Sequence, residues 1–109
     1  MSADDFDSIV AAGDISNICT AMVDFSFDPQ TDFDWFERRC VELLAHPDGS
    51  VRALAATCLS HTARFKGSLE KETVAALRAL ENDPTIGGQA SDALDDWEQF
   101  AGGRRKSQE

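Results

Sequence analysis

The chain has 109 residues, 42% hydrophobic and 28% charged, with 20 carboxylates against 10 Lys and Arg for a formal net charge of −10. That length supports one small core, the apolar content lies above the disordered range, and the acidity argues against direct phosphate contact, which needs clustered Lys and Arg. No apolar run approaches the roughly 18–20 residues that span a bilayer, and the start Met-Ser-Ala-Asp-Asp-Phe-Asp lacks the basic and apolar parts of a secretion signal.

Helical periodicity dominates and strand signals are nearly absent. A first helix is expected over about residues 3–12, with Phe6, Ile9 and Val10 on one face and Gly13 ending it. A second starts at Asp14, with Ile15, Ile18, Cys19, Met22 and Val23 as its apolar stripe. Asp28-Pro29 stops it, because the residue before a proline is pushed out of the helical region. Thr31 or Asp32 caps a third helix through about Ala45, which buries Trp35 or Phe36 with Cys40, Leu43 and Leu44. Pro47-Asp48-Gly49 reads as a turn and Ser50 as the N-cap of a fourth helix to about Phe65, with Val51, Leu54, Ala55, Cys58, Leu59 and Thr62 facing inward. Gly67 closes it, and Ser68 caps a fifth helix carrying Val74, Leu77 and Leu80. Asp83-Pro84 opens the last, through Ala90, Ala93, Leu94, Trp97 and Phe100. Residues 1–103 are thus expected to form a single helical-repeat domain, and residues 104–109 a disordered basic tail.

Two stretches, 35–67 and 69–102, repeat one pattern: an apolar-periodic segment, a Pro-containing turn, then an alanine-rich segment. Val51, Ala55 and Leu59 match Ile86, Ala90 and Leu94 at a constant offset of 35 residues. A period of that size marks stacked helical units, which offer broad surfaces to other macromolecules. The Pro47 turn followed by Val51-Arg52, Ala55 and Leu59 resembles a HEAT repeat, in which proline sits near the turn and a Val-Arg pair opens the second helix. The likeness covers roughly residues 32–102, with the first 30 residues as a divergent third unit and Gly87 standing where the second copy would carry the arginine. It implies an all-α fold: a short HEAT-like α-solenoid of about six antiparallel helices in three helical pairs, serving as an interaction scaffold.

Catalytic chemistry finds little support. Cys19, Cys40 and Cys58 are odd in number and scattered, which fits reduced thiols in a cytoplasm. Cys58 and His61 share a helix face, with Cys40 and His46 on the preceding helix and turn. The short Cys-x-x-Cys spacing is missing, however, and Cys58 falls on the apolar stripe, so the thiols read as packing. His46 bonds local backbone or faces solvent. Ser60 and His61 are neighbours in sequence and point to different helix faces, so they cannot pair with each other as nucleophile and base. Gly87-Gly88 lacks the following Lys-Ser or Lys-Thr of a phosphate cradle. No enzyme activity, catalytic residue, cofactor or metal is expected.

The charge distribution is more informative. Residues 1–37 hold nine carboxylates and no Lys or Arg, residues 38–82 hold seven bases and five acids, and residues 83–103 hold five acids and no base. Such a field serves solubility, and it also speeds the approach of a basic partner. Asp92, Asp95 and Asp96 crowd one face of the last helix with Glu98 nearby. Like charges repel there and the helix dipole disfavours them. This is either a solvated face or a docking strip for Lys and Arg. The segment 24–37 packs five aromatics and five carboxylates into 14 residues. Phe25/Phe27 and Phe33/Trp35 alternate with period two, so one helix face cannot bury them all. Phe27 and Phe33, beside Asp28 and Asp32, are the least buried choices and would suit a hot spot against a basic surface. The expected partner surface is therefore Asp92, Asp95, Asp96, Glu98, Phe27, Phe33, Asp28 and Asp32.

In size, acidity and helical-repeat build the chain resembles small immunity proteins of bacterial contact-dependent inhibition and related polymorphic toxin systems. That resemblance implies a cytoplasmic protein, monomeric when free, that binds and neutralises a basic toxin domain such as a nuclease. It implies no direct contact with nucleic acid or membrane. The alternative is a stand-alone HEAT-like adaptor that assembles or regulates a larger complex.

Overall fold

Short-range capping chemistry sets where most of the helices begin and end. The structure is a computed structural model that describes residues 2–102, and the tail expected at 104–109 lies outside the described residues, as does Gly103. Helix α1 (Ala3–Ala12) starts on a capping box, in which the Ser2 hydroxyl accepts from the Asp5 N–H and the Asp5 carboxylate accepts from the Ser2 N–H. Gly13 ends it at φ 81°, in the left-handed region that costs glycine nothing. Asp14 caps α2 (Ile15–Phe27), Asp32 caps α3 (Phe33–Leu43) and Asp48 caps α4 (Gly49–Lys66), each carboxylate accepting from first-turn N–H groups. Then come α5 (Lys71–Ala79), α6 (Gly87–Trp97) and a π-helical turn, Glu98–Gly102. No strand occurs among the described residues, so their fold is all-α.

Three expected helix ends move. Ser50 is not the cap of α4: Asp48 is extended and its carboxylate takes the Ser50 and Val51 N–H groups at 2.8 and 3.2 Å, leaving Ser50 inside the first turn. Ser68 does not cap α5, which begins only after Glu70; the Glu70 N–H is held instead by the Glu37 carboxylate at 2.7 Å. Asp83 accepts from the Thr85 and Ile86 N–H groups, yet α-helical geometry starts at Gly87 and gives way to the π turn after Trp97.

One buried cluster draws on all six helices. Helix α4 is its axis, packing against α2, α3 and α6, while α5 rests on α3 and α6 and α1 on α2. The six residues related by the 35-residue offset, Val51, Ala55, Leu59, Ile86, Ala90 and Leu94, are all buried. Ala55 and Ala56 of α4 and Ala90 and Ala93 of α6 are fully buried, and α4 and α6 pack closely together. At the other end, Phe6 sits edge-on to Phe25, Trp35 and Phe36 with ring centroids 5.3–6.1 Å apart. Burying a phenylalanine like Phe6 is worth about 1.5–3 kcal/mol. Arg39 fastens the same corner by donating through Nε and Nη2 to both carboxylate oxygens of Asp7. Val23, expected on the apolar stripe of α2, is 40% exposed.

Candidate functional site

A groove runs between α4 and α6. Thr57, Ser60, His61 and Arg64 line one side and Gln89, Asp92 and Asp96 the other, around a recess of about 350 Å³. Gln89, Asp92 and Asp96 are three and four residues apart, so helical spacing alone puts them on one face. Arg64 donates to Asp96 Oδ1 at 3.3 Å and forms an ion pair with the same carboxylate, its Nη2 lying 3.2 Å from Oδ2. The acidic face of α6 is therefore less uncompensated than its own sequence suggests, because the offsetting cation comes from α4. Asp92 and Asp95 are exposed and make no ion pair among the described residues; Asp95 stands outside the groove lining, and Glu98 is exposed on the π turn.

His61 links this groove to the aromatic segment. Its Nδ1 is hydrogen-bonded to the Ser26 hydroxyl at 2.8 Å, and the Phe27 ring lies 4.7 Å from the imidazole, tilted by 46°. Burial holds the His61 pKa below the ordinary histidine value, with the Arg64 charge acting in the same direction and Asp96 opposing both. The imidazole is therefore neutral at pH 7. A Ser–His pair at hydrogen-bond distance has the reach of an activated nucleophile. Ser26, however, is only 1% exposed, so its hydroxyl meets no substrate and the bond fixes the ring.

From His61 an apolar stripe spreads over the surface. Val23 and Phe27 stand one turn apart on α2, and His61 and Phe65 one turn apart on α4. Phe27 is 60% and Phe65 54% exposed. Phe65 stacks on the half-buried Phe33, with centroids 5.0 Å apart and rings 14° from parallel. The fold thus brings Phe27 to Asp92 and Asp96 by way of His61, and brings Phe33 to the same stripe by way of Phe65.

Asp28 and Asp32 are spent elsewhere. Asp28 accepts from the Gln30 N–H at 2.9 Å, and Asp32 caps α3 through the Asp34 and Trp35 N–H groups. Both line a separate recess with Phe25, Thr31 and Trp35. The side chains missed by sequence reasoning are Val23, His61, Arg64 and Phe65. The i, i+4 spacing of Val23/Phe27 and of His61/Phe65 is the only signal for three of them and does not say which face stays open, while Arg64 meets Asp96 32 residues away and carries no local signal.

The four metal-type donors do not converge on one point: the Cys40 and Cys58 thiols adjoin, and the two histidines are held elsewhere. Cys58 Sγ lies 3.8 Å from the Met22 carbonyl, His61 engages Ser26, and His46 Nδ1 accepts from the Asp48 N–H at 3.0 Å. Burial drives the Cys40 thiol well above the ordinary cysteine range, with Cys58 and the Glu37 charge adding to the effect. No group of three or more His, Cys, Asp or Glu able to hold a metal ion occurs among the described residues. No helix among the described residues is long and apolar enough to cross a membrane.

Fold and surface together define an acidic, all-helical protein with an exposed aromatic stripe beside a carboxylate-lined groove. Comparison with known proteins found no matching family model, curated protein or solved structure.

Proposed function

We propose that this chain is a protein-binding module that docks a basic partner on the stripe of Val23, Phe27, His61 and Phe65 and on the neighbouring Asp92, Asp95 and Asp96. In the narrower form of the proposal it is an immunity protein, and the partner is a toxin domain that it neutralises, as its likeness to that class implies. The observation that carries the reading is the exposure of Phe27 and Phe65, 60% and 54%, on a stripe that reaches through His61 to Asp92, an exposed carboxylate with no ion pair among the described residues. A partner's Lys or Arg can pair with the carboxylates while its guanidinium or alkyl stem lies on an exposed ring. The net charge of −10 speeds encounter, and the aromatic contacts slow release.

A HEAT-like short solenoid of three antiparallel pairs is part of the same proposal. Its support is that α1 packs on α2, α3 on α4 and α5 on α6, while α2, α4 and α6 adjoin in one row and α3 and α5 in another. The 35-residue repeat equally favours the second reading, a stand-alone adaptor in a larger complex. A toxin gene next to this one supports immunity, and its absence supports the adaptor.

The test mixes the purified chain with the toxin domain encoded beside it, and nanomolar or tighter binding is expected, about −12 kcal/mol or better. Replacing Asp92, Asp95 and Asp96 together by Asn should slow association roughly tenfold at low salt and flatten its salt dependence. Phe27→Ala with Phe65→Ala should instead raise the dissociation rate, by about tenfold or more. Unchanged association of the triple Asn variant would refute the docking strip.

A further inference from the structure

The described residues contain seven Lys and Arg, and five of them are held by carboxylates or backbone carbonyls. Arg38 pairs with Glu70, Arg39 with Asp7 and Glu42, Arg64 with Asp96, and Lys66 with Asp34 and Glu37. Arg52 donates to the backbone carbonyls of His46 and Pro47 at 2.8 and 2.9 Å. Lys71 and Arg78 make no ion pair among the described residues, in a chain where carboxylates outnumber cations two to one. Both line the same recess.

That recess has a volume of about 550 Å³ and lies along α5, with Ser68 and Leu69 before the helix and Trp97 of α6 also in its lining. Lys71, Val74 and Arg78 fall at i, i+3 and i+7, so one face of α5 carries a cation, an apolar patch and a second cation over about 10 Å. The Arg78 guanidinium lies over the Trp97 indole, 6.0 Å from the ring centroid, which holds it at the wall of the recess. Among the described residues no acidic side chain lines this space. It shares no residue with the α4–α6 groove.

We infer that this recess binds a small aromatic phosphate ester. Its volume falls within the usual range for small-molecule sites, about 300–1,000 Å³. Leu69, Val74 and Trp97 supply apolar walls for a flat ring, and Lys71 and Arg78 supply two positive charges for a dianion. Arginine offers the planar fork that phosphate oxygens match, and lysine a point charge. The net charge of the chain repels anions at long range. Capture therefore depends on the two local cations, and neither ring nor charge suffices alone.

The experiment titrates 1-naphthyl phosphate, and separately neutral 1-naphthol, into the full ¹⁵N-labelled chain. It follows the indole Nε1–H signals of Trp35 and Trp97, assigned with Trp97→Phe. The phosphate should move the Trp97 signal saturably, with a dissociation constant of about 0.1–1 mM, and leave Trp35 in place. Naphthol should bind roughly tenfold more weakly, and so should the phosphate to Lys71→Ser/Arg78→Ser. Phe27→Ala/Phe65→Ala, which removes the exposed aromatics of the other face, should bind the phosphate as the parent chain does. Equal binding of naphthol, undiminished binding by the double Ser variant, or a stationary Trp97 signal would each overturn the inference.

Discussion

Glu37 is the only carboxylate fully buried among the described residues, and three groups from two other segments converge on it. Lys66 donates to Oε1 at 2.6 Å, while the Glu70 N–H and the Thr73 hydroxyl donate to Oε2, at 2.7 Å in the case of the N–H. One side chain thus ties α3 to the end of α4 and to the start of α5. Removing it leaves the Thr73 hydroxyl and the Glu70 N–H without that acceptor, and leaves the half-buried Lys66 ammonium with Asp34 alone. Glu37→Ala should therefore destabilise the chain by about 3–5 kcal/mol, read as a lower urea midpoint. Burial alone would depress the Lys66 pKa, but its bonds to Asp34 and Glu37 outweigh that and hold it above the ordinary lysine value. A raised folded pKa gives stability that is complete below the unfolded value, near 10.5, and is lost as pH rises through the folded value. Lys66→Met should flatten that alkaline loss, and an unchanged alkaline limb would show that the ammonium contributes nothing. None of this is legible from sequence. Glu37 falls among other acidic residues at the start of a helix, and nothing local distinguishes the one that meets a lysine 29 residues away.

At the scale of the helix, the repeat reaches further than its apolar positions. Asp48 and Asp83 also stand 35 residues apart, and each accepts from the N–H groups two and three residues on. Gly13, Asp28-Pro29 and Gly67 are readable as helix stops because their signal is local. The start of α4 is not, because Asp48 and Ser50 are both competent caps and only the backbone path chooses between them. The Ser26–His61 pair is hidden for a different reason, since its partners lie 35 residues apart on separate helices. The two copies part at Arg52 and Gly87. A Cβ on Gly87 would come within 2.5 Å of the Glu81 carbonyl oxygen and 3.2 Å of its carbon, both backbone atoms that cannot swing aside. Gly88, one residue on, has nothing within 4 Å of an added Cβ. Gly87→Ala should therefore cost about 1–3 kcal/mol through the forced backbone shift. Gly88→Ala should gain about 0.5–1 kcal/mol through helix propensity. Thermal melts of the two single variants separate the cases, and equal shifts would mean that the close approach to Glu81 does not constrain the turn.

The whole molecule carries its charge unevenly, and salt should reveal which electrostatic effect governs stability. Most of its ion pairs are at the surface: Arg38–Glu70 at 3.4 Å has side chains 67% and 36% exposed, and Arg64–Asp96 at 3.2 Å has 54% and 17%. Pairs of that kind contribute about 0–1 kcal/mol each and weaken in salt. The Glu37–Lys66 pair is shielded from solvent and responds little. Against these stands a net charge of −10 on a domain with a Cα radius of gyration of 13.6 Å, close to the ~13 Å expected for a chain of this length. Charges that close repel one another through the folded state, and the repulsion relaxes when the chain expands. Raising NaCl from about 0.01 to about 0.5 M shortens the Debye length from about 30 Å to about 4 Å, so it removes the diffuse repulsion before it removes contacts at 3 Å. The melting temperature should therefore rise with salt. A gain of about 1 kcal/mol corresponds to about 4–8 °C for a domain near 100 residues. The same change should slow association with a basic partner, so stability and binding should move in opposite directions along one salt series. A melting temperature that falls with salt would mean that the local pairs, and not the net charge, dominate the electrostatics of this fold.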